Sequence, residues 1–331
     1  MTQLSDLLLK WYAQNGRDLP WRVKGRAHHN AYAVWISEIM LQQTTVKTVL
    51  DYFERWMLKF PTLTELALAD IQDVLLMWQG LGYYTRAKKI HECAQILTKK
   101  YNGRFPQDRS ELLKLPGIGP YTASSICAFA FNMPETVVDG NVIRVIARLY
   151  GITDNIHKDD IYQRACKLTP KDHGADYASA IMDLGATVCT PTNPKCHLCP
   201  WKEHCIAYPK GIAEQIPNIK KPEKQKRIGT LYLIQNQTGA YYIQKRSGKG
   251  LLSGLYEFPW HYDNEEAYAG VWQDTGKVIT HIFTHFHLTL HIVKGRSEHL
   301  LTPVGLFVEP DKLKNYPFPT LMKKAIKGLT K

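Results

Sequence analysis

The sequence predicts a two-domain chain, an all-α unit followed by an α+β unit, and three observations carry that prediction. Apolar residues keep helical spacing from the N-terminus to about residue 208. Four cysteines crowd into residues 189–205, where that half closes. Beyond residue 228 the pattern changes to short apolar segments separated by turn signals. A length of 331 residues suits two cores better than one.

In the first half, Ile90, Cys93, Ala94 and Leu97 recur at i, i+3, i+4 and i+7, and Val142, Val145, Ile146 and Leu149 do the same. Each set lies on one face of a helix. The strings LGYY, LPGIGP and VDGN punctuate the helices. Residues 110–114 are expected as a short helix, LPGIG as a tight turn, and Pro120 as the first position of the next helix, where its missing N–H is harmless. Residues 209–228 hold six basic residues, two acidic ones and three prolines, which reads as an exposed basic linker. Strands are expected at TLYLI, AYYIQKR and HIFTHFHLTLHIV, with turns at NQTG and RSGKG. In the last strand Phe286, Leu288, Leu290 and Ile292 share a core face, opposite His285, His287, Thr289 and His291. No internal repeat or low-complexity segment is found.

Hydrophobic residues make up 44% and charged residues 22%, the proportions of an ordinary globular protein. No apolar run approaches the roughly 20 residues of a membrane span, and MTQLSD lacks a basic, then apolar, leader, so a cytoplasmic protein is expected. The formal charge of +12 suits a polyanionic partner without requiring one. Of the seven cysteines, Cys93, Cys127 and Cys166 stand alone in helical segments and read as core residues. Cys189, Cys196, Cys199 and Cys205 follow C-x6-C-x2-C-x5-C, which brings four thiolates within reach of one metal centre. Zinc and an iron–sulfur cluster both accept four thiolates, and spacing alone leaves that choice open.

That cysteine loop, together with LPGIGPYTA and VVDGNVIRV, resembles the endonuclease III superfamily of DNA glycosylases. WISEIMLQQT (35–44) and GLGYYTRA (80–87) narrow the resemblance to its MutY-type adenine-specific branch. It runs from about residue 11 to 208 and continues weakly beyond. It implies a helix-hairpin-helix glycosylase domain over 1–208 with a 4Fe-4S cluster on the loop 189–205, the linker 209–228, and an α+β, Nudix-like domain over 229–331 that recognises 8-oxoguanine. The implied partner is double-stranded DNA carrying A:8-oxoguanine or A:G mispairs, met by a monomer associated with the nucleoid, with no membrane.

Breaking the bond between adenine and deoxyribose needs a protonated leaving group and support for an oxocarbenium-like sugar. Glu38 sits among Trp35, Ile36, Ile39 and Met40, so it is either a solvated helix charge or, if buried, a carboxyl whose raised pKa keeps a proton. Asp139, ahead of a helix, reads equally as an N-cap. By resemblance Glu38 is the acid on adenine and Asp139 stabilises the cationic sugar, with Tyr121 and Asn141 in the same catalytic set. Gln42, Gln43 and Tyr83 are implied beside the base opposite the flipped adenine, and Trp21, Arg22 and Asp183 in the adenine pocket. VKGRAHHNA after Arg22 is longer than the usual connection. Gly117 and Gly119 let a backbone approach closely, which fits either an interhelical turn or a DNA phosphate cradle.

GKGLLSGLYEFPW (248–260) resembles the loop-strand element of Nudix-fold domains. No R-E-x-x-E-E helix follows it, since Glu265 and Glu266 stand alone, so a binding module is expected and not a second enzyme. Phe283, Thr284 and His285 occupy the F-S-H element that reads 8-oxoguanine in the MutY branch, with threonine in place of serine. Two other functions fit parts of the sequence. An endonuclease III-like glycosylase/lyase would need a lysine where Tyr121 stands, and Glu38 and Asp139 weigh against a catalytically silent DNA-binding iron–sulfur protein.

Overall fold

The computed structural model describes residues 2–22, 30–154, 156–218, 223–248, 250–265, 268–297 and 305–329. Most of VKGRAHHNA, and Glu266, lie outside the described residues. The chain divides into two compact units, one of residues 1–68 and 89–220, the other of residues 69–88 and 221–331. The second is therefore discontinuous in sequence, a division that the periodicity does not indicate.

The first unit is helical: α1 (Gln3–Asn15), α2 (Ala31–Leu41), α3 (Val46–Lys59) and α4 (Leu63–Leu68), then, after α5 (Ile71–Met77) of the second unit, α6 (Thr85–Tyr101), α7 (Arg109–Leu112), α8 (Pro120–Phe131), α9 (Gly140–Leu149), α10 (Lys158–Leu168) and α11 (Gly174–Thr187). Side-chain caps fix the starts that matter for the site. Asn30 accepts from the N–H groups of Tyr32 and Ala33 at the head of α2, and Asp139 accepts from Val142 N–H at the head of α9. Residues 32–40 of α2 and 122–130 of α8 are buried throughout, so these two helices form the core layer. α8 packs between α2 and α11, and α11 carries α9 on its other side. The short helix expected over 110–114 begins and ends earlier, because Asp108 caps it through Ser110 N–H and Leu113 already lies past its end.

In the second unit the strands are β1 (Gln225–Gln235), β2 (Tyr241–Lys245), β3 (Tyr256–Glu257), β4 (Trp260–Tyr262), β5 (Gln273–Ile282), β6 (Phe286–Arg296) and β7 (Gly305–Val308). They form one mixed sheet in the order β3-β2-β1-β6-β5, with β4 on β1 and β7 on β2. β1 and β6 run parallel in register from Gln225↔Phe286 to Gln235↔Arg296. The alternation expected of β6 is present: Phe286, Leu288, Leu290 and Ile292 are buried while His287 and His291 are exposed. They pack with Phe258, Phe318 and α12 (Thr320–Leu329), whose Leu321 and Met322 are fully buried.

Two expectations are corrected. HIFTHFHLTLHIV is not one strand but the end of β5, a turn and β6; Phe283 N–H donates to Phe286 O at 2.8 Å, closing a turn at Phe283, Thr284 and His285 that contains no residue typical of turns. Residues 209–228 are not an exposed linker throughout. Ala213 and Ile216 are buried, a 3₁₀ turn spans Ala213–Gln215, and β1 begins at Gln225. Among the described residues no helix is long and apolar enough to cross a membrane.

Candidate active site

Glu38 lies in the buried stretch of α2 and is 6% exposed. From α8, the hydroxyl of Tyr121 donates to its Oε2 at 2.9 Å, and the hydroxyl of Ser125 is a second hydrogen-bond partner of the carboxyl. Burial pushes the Glu38 carboxyl up to about 7, and Asp139 pushes in the same direction; the Tyr121 hydrogen bond and the positive charge of Arg22 restrain the rise. Burial and the neighbouring carboxylates also keep the Tyr121 phenol well above its ordinary range, so it is a neutral donor. The solvated-charge alternative for Glu38 does not apply.

Asp139 is the N-cap of α9 and has a second carboxylate oxygen to spare. Its Oδ1 caps α9 through Val142 N–H at 2.8 Å, while its Oδ2 accepts from Asn141 Nδ2 at 2.9 Å. Arg144 holds Asn141 in turn, donating to its Oδ1 at 2.8 Å and to the carbonyls of Gly185 and Cys189 at 2.7 and 2.8 Å. A single helix start thus brings Asp139 near enough to act on the charge of Glu38, with its orientation fixed by side-chain partners.

Of Trp21, Arg22 and Asp183, the last two meet in an ion pair. Asp183 is completely buried and its oxygens are committed: Oδ2 accepts Arg17 N–H at 2.8 Å, while Oδ1 accepts Arg17 Nε at 2.9 Å and Nη2 at 2.6 Å and Arg22 Nη1 at 2.8 Å. Burial alone would push this carboxyl up, but the guanidiniums of Arg22 and Arg17 hold it below the usual range. Asp183 anchors Arg22, whose charge acts on Glu38. Trp21 is buried edge-on against Phe53, ring centroids 5.1 Å apart. Arg17 is a site residue that sequence reasoning misses; its only signal there is the arginine pair flanking D-L-P-W, since its partner lies 166 positions away.

The glycine-rich turn joins α7 to α8 as a helix hairpin. Gly117 has φ +76°, and a Cβ there would sit 2.8 Å from Cβ of Lys89, so the position requires glycine. Gly119 differs: its φ is −93°, it caps α8 without a side chain, and open space lies where a Cβ would be. Gly117→Ala is expected to cost about 1–2 kcal/mol from the left-handed backbone alone, read as a lower Tm. Gly119→Ala should leave Tm nearly unchanged and weaken duplex binding in a titration; unchanged binding would leave the turn a connector only.

Gln42 and Gln43 end α2. Gln42 Nε2 reaches Thr122 Oγ1 at 3.5 Å, and Gln43 is left-handed at φ 61°. Tyr83 belongs to the second unit, where Gly80 and Gly82 shape its loop with φ of 115° and 71°. It is itself left-handed at φ 47° and 49% exposed. Its hydroxyl is hydrogen-bonded to that of Thr284 at the β5–β6 turn, and Phe283 and His285 flank that contact. The turn and Tyr83, 201 positions apart, are thus one surface.

The four clustered cysteines line a single cavity of ≈ 20 Å³ together with Arg148 and Val188. Among the described residues no three His, Cys, Asp or Glu side chains converge closely enough to hold a single ion. Four thiolate donors around one cavity suit an iron–sulfur cluster. Burial pushes Cys199 up to about 12 and raises Cys196 and Cys205 as well, so thiolates here need the cationic charge a metal centre brings. Arg148, 2% exposed, ties the loop to α9 by donating to Cys189 Sγ at 3.4 Å and to the carbonyls of Thr190, Pro191 and Ile216.

Residues 36–171 match the model for HhH-GPD superfamily base excision DNA repair proteins, residues 189–205 the iron–sulfur binding domain of endonuclease III, and residues 230–328 the NUDIX domain. The solved structure of a non-covalent endonuclease III–DNA complex is 26% identical and superposes with a TM-score of 0.54, covering 63% of this chain and 95% of that one. The helix hairpin, the buried carboxyl and the cysteine loop define a helix-hairpin-helix DNA glycosylase of base excision repair, an enzyme that hydrolyses N-glycosyl bonds and holds a 4Fe-4S cluster. An adenine DNA glycosylase from Buchnera aphidicola (subsp. Acyrthosiphon pisum) is 38% identical over 89% of this chain and 87% of its own length, and one from Homo sapiens is 32% identical over 99% and 74%. The chain belongs to the adenine DNA glycosylase family.

Proposed function

We propose that the chain excises adenine paired with 8-oxoguanine, or with guanine, and stops after removing the base. The observation that carries this reading is the Tyr121–Glu38 hydrogen bond at 2.9 Å on a buried carboxyl raised to about 7. It supports two parts of the proposal together. A carboxyl so placed keeps a proton for the departing base near neutral pH, and the position where a lyase would carry its amine holds a phenol that orients the acid.

The adenine nucleotide leaves the stack at a cost of roughly a few kcal/mol. Gln43 and Tyr83 occupy the gap beside the opposite base, with Gln42 nearby. Glu38 transfers its proton to a ring nitrogen of adenine, so the base departs neutral. Asp139, held by Asn141, faces the cationic sugar and stabilises it until water completes the hydrolysis. Cys189, Cys196, Cys199 and Cys205 ligate the cluster, which gives the loop the charge that its buried thiolates need. Phe283, Thr284 and His285 read the 8-oxoguanine, in the unit of residues 69–88 and 221–331, which binds without hydrolysing nucleotides; the chemistry belongs to the unit of residues 1–68 and 89–220.

The test is a duplex with one A:8-oxoguanine pair, developed with and without alkali. Strand breaks only after alkali are expected. Breaks without alkali, with borohydride trapping of the protein on DNA, would sink the monofunctional reading, and no adenine release would sink the proposal as a whole.

A further inference from the structure

We propose that Lys88, braced by the loop of residues 250–254, and Lys245 form a phosphate-binding site that grips the backbone of the strand carrying the base opposite adenine. This rests on the reading that the β5–β6 turn meets that base. The second unit encloses a cavity of ≈ 840 Å³; Tyr83, Thr284 and His285 line it, and so do Lys88, Gly250 and Ser253. The base-reading turn and this basic loop therefore share one cavity, as adjoining groups of one nucleotide strand would require.

The loop is shaped around the ammonium of Lys88. Its Nζ donates to Ser253 O at 2.7 Å, using one of three donors. Gly254 is left-handed at φ +78°, and a Cβ there would sit 2.6 Å from that nitrogen. Gly250 and Leu252 are left-handed too, at φ +117° and 60°. The loop is braced by its own backbone, Ser253 N–H donating to Gly250 O at 3.3 Å and Gly254 N–H to Arg246 O at 2.8 Å, so it fixes the ammonium of Lys88 in place. A non-glycine residue held in this region is of the kind that clusters at ligand clamps.

The charges point to an anion from outside the chain. Burial and the ammonium of Lys245 both lower the pKa of Lys88, so the two cations stand near each other. No carboxylate pairs with either among the described residues. A phosphate oxyanion between them relieves the repulsion and accepts the remaining Lys88 donors. Such a phosphate could belong to a free nucleotide or to a DNA backbone. The shared wall with Tyr83 and the β5–β6 turn favours the backbone.

The experiment uses the full chain in a Glu38→Gln background, so that the duplex with one A:8-oxoguanine pair stays intact. Binding is titrated across a salt series for Lys88, Lys88→Gln, Lys88→Arg and Lys245→Gln. Lys88→Gln should weaken binding about tenfold and reduce the slope of log K against log[salt] by roughly 0.9; Lys88→Arg should restore both. Single methylphosphonates are then placed at the phosphates flanking 8-oxoguanine. One position should weaken binding by Lys88 and have no further effect on Lys88→Gln. An unchanged slope, equal losses for both proteins at every position, or failure of Lys88→Arg with a lowered Tm would overturn the site. Competition by free deoxyguanosine triphosphate that requires Lys88 would overturn the backbone assignment. Adenine release by the unmutated chain is scored separately, so failure of the functional reading is distinguishable from failure of this one.

Discussion

Glu38→Gln is expected to lower single-turnover excision of adenine by about 10²–10⁴-fold, the range that a positioned general acid supplies, while duplex binding persists. The carboxamide keeps the shape of the side chain and can still accept the Tyr121 hydroxyl, so the proton is the main thing removed. The unmutated enzyme should lose rate as pH rises through about 7, because the protonated carboxyl is the active form. Stability gives an independent check. The folded chain binds this proton more tightly than an unfolded one, so the contribution of Glu38 is complete below its ordinary value of 4.5 and is lost as pH rises toward about 7. Such a shift corresponds to roughly 3 kcal/mol at most. Glu38→Gln should therefore melt above the unmutated chain at pH 8, and the difference should vanish below about pH 4.5. Near-normal excision by the variant would remove Glu38 from the chemistry, whatever its effect on Tm.

Asp139→Asn separates the two roles of a single side chain. Asparagine caps a helix about as well as aspartate, and its carbonyl can accept Val142 N–H in the same geometry, so stability should change by less than about 1 kcal/mol. What disappears is the negative charge, together with the acceptor for Asn141 Nδ2. Loss of one preorganised electrostatic partner typically costs about 10²–10³-fold in rate, and single-turnover excision should fall by that much without a matching fall in Tm. A variant that loses stability and keeps its rate would leave Asp139 a cap alone. Asn141 should then matter only for stability as well, since its amide reaches the chemistry only through Asp139 Oδ2.

Part of the site is legible in local sequence chemistry. Glu38 stands among large apolar neighbours, so its burial follows from the residues beside it; the compact cysteine spacing and the double glycine turn are equally local. The clamp of Arg17 and Arg22 on Asp183 is not legible, because it closes across more than 160 positions. The β5–β6 turn is hidden for another reason. It contains phenylalanine, threonine and histidine, and an unbroken alternation across it looks like one long strand. The basic composition of residues 209–228 suggests solvent, yet Ile216 is buried and its carbonyl accepts from Arg148 at 2.8 Å.

The discontinuity of the second unit bears on how this protein can be recombined. Residues 69–88 lie among the helices in sequence, yet Gln79 Nε2 donates to Phe318 O at 2.9 Å and Lys88 Nζ to Ser253 O at 2.7 Å. A gene cut between residues 218 and 223 would send the sheet away without the segment that packs with it. Chimeras with a related chain should exchange residues 69–88 and 221–331 together, and a C-terminal fragment made alone would lack the tyrosine that Thr284 bonds. Inheritance of the two segments is thus tied, although the whole of residues 89–220 lies between them.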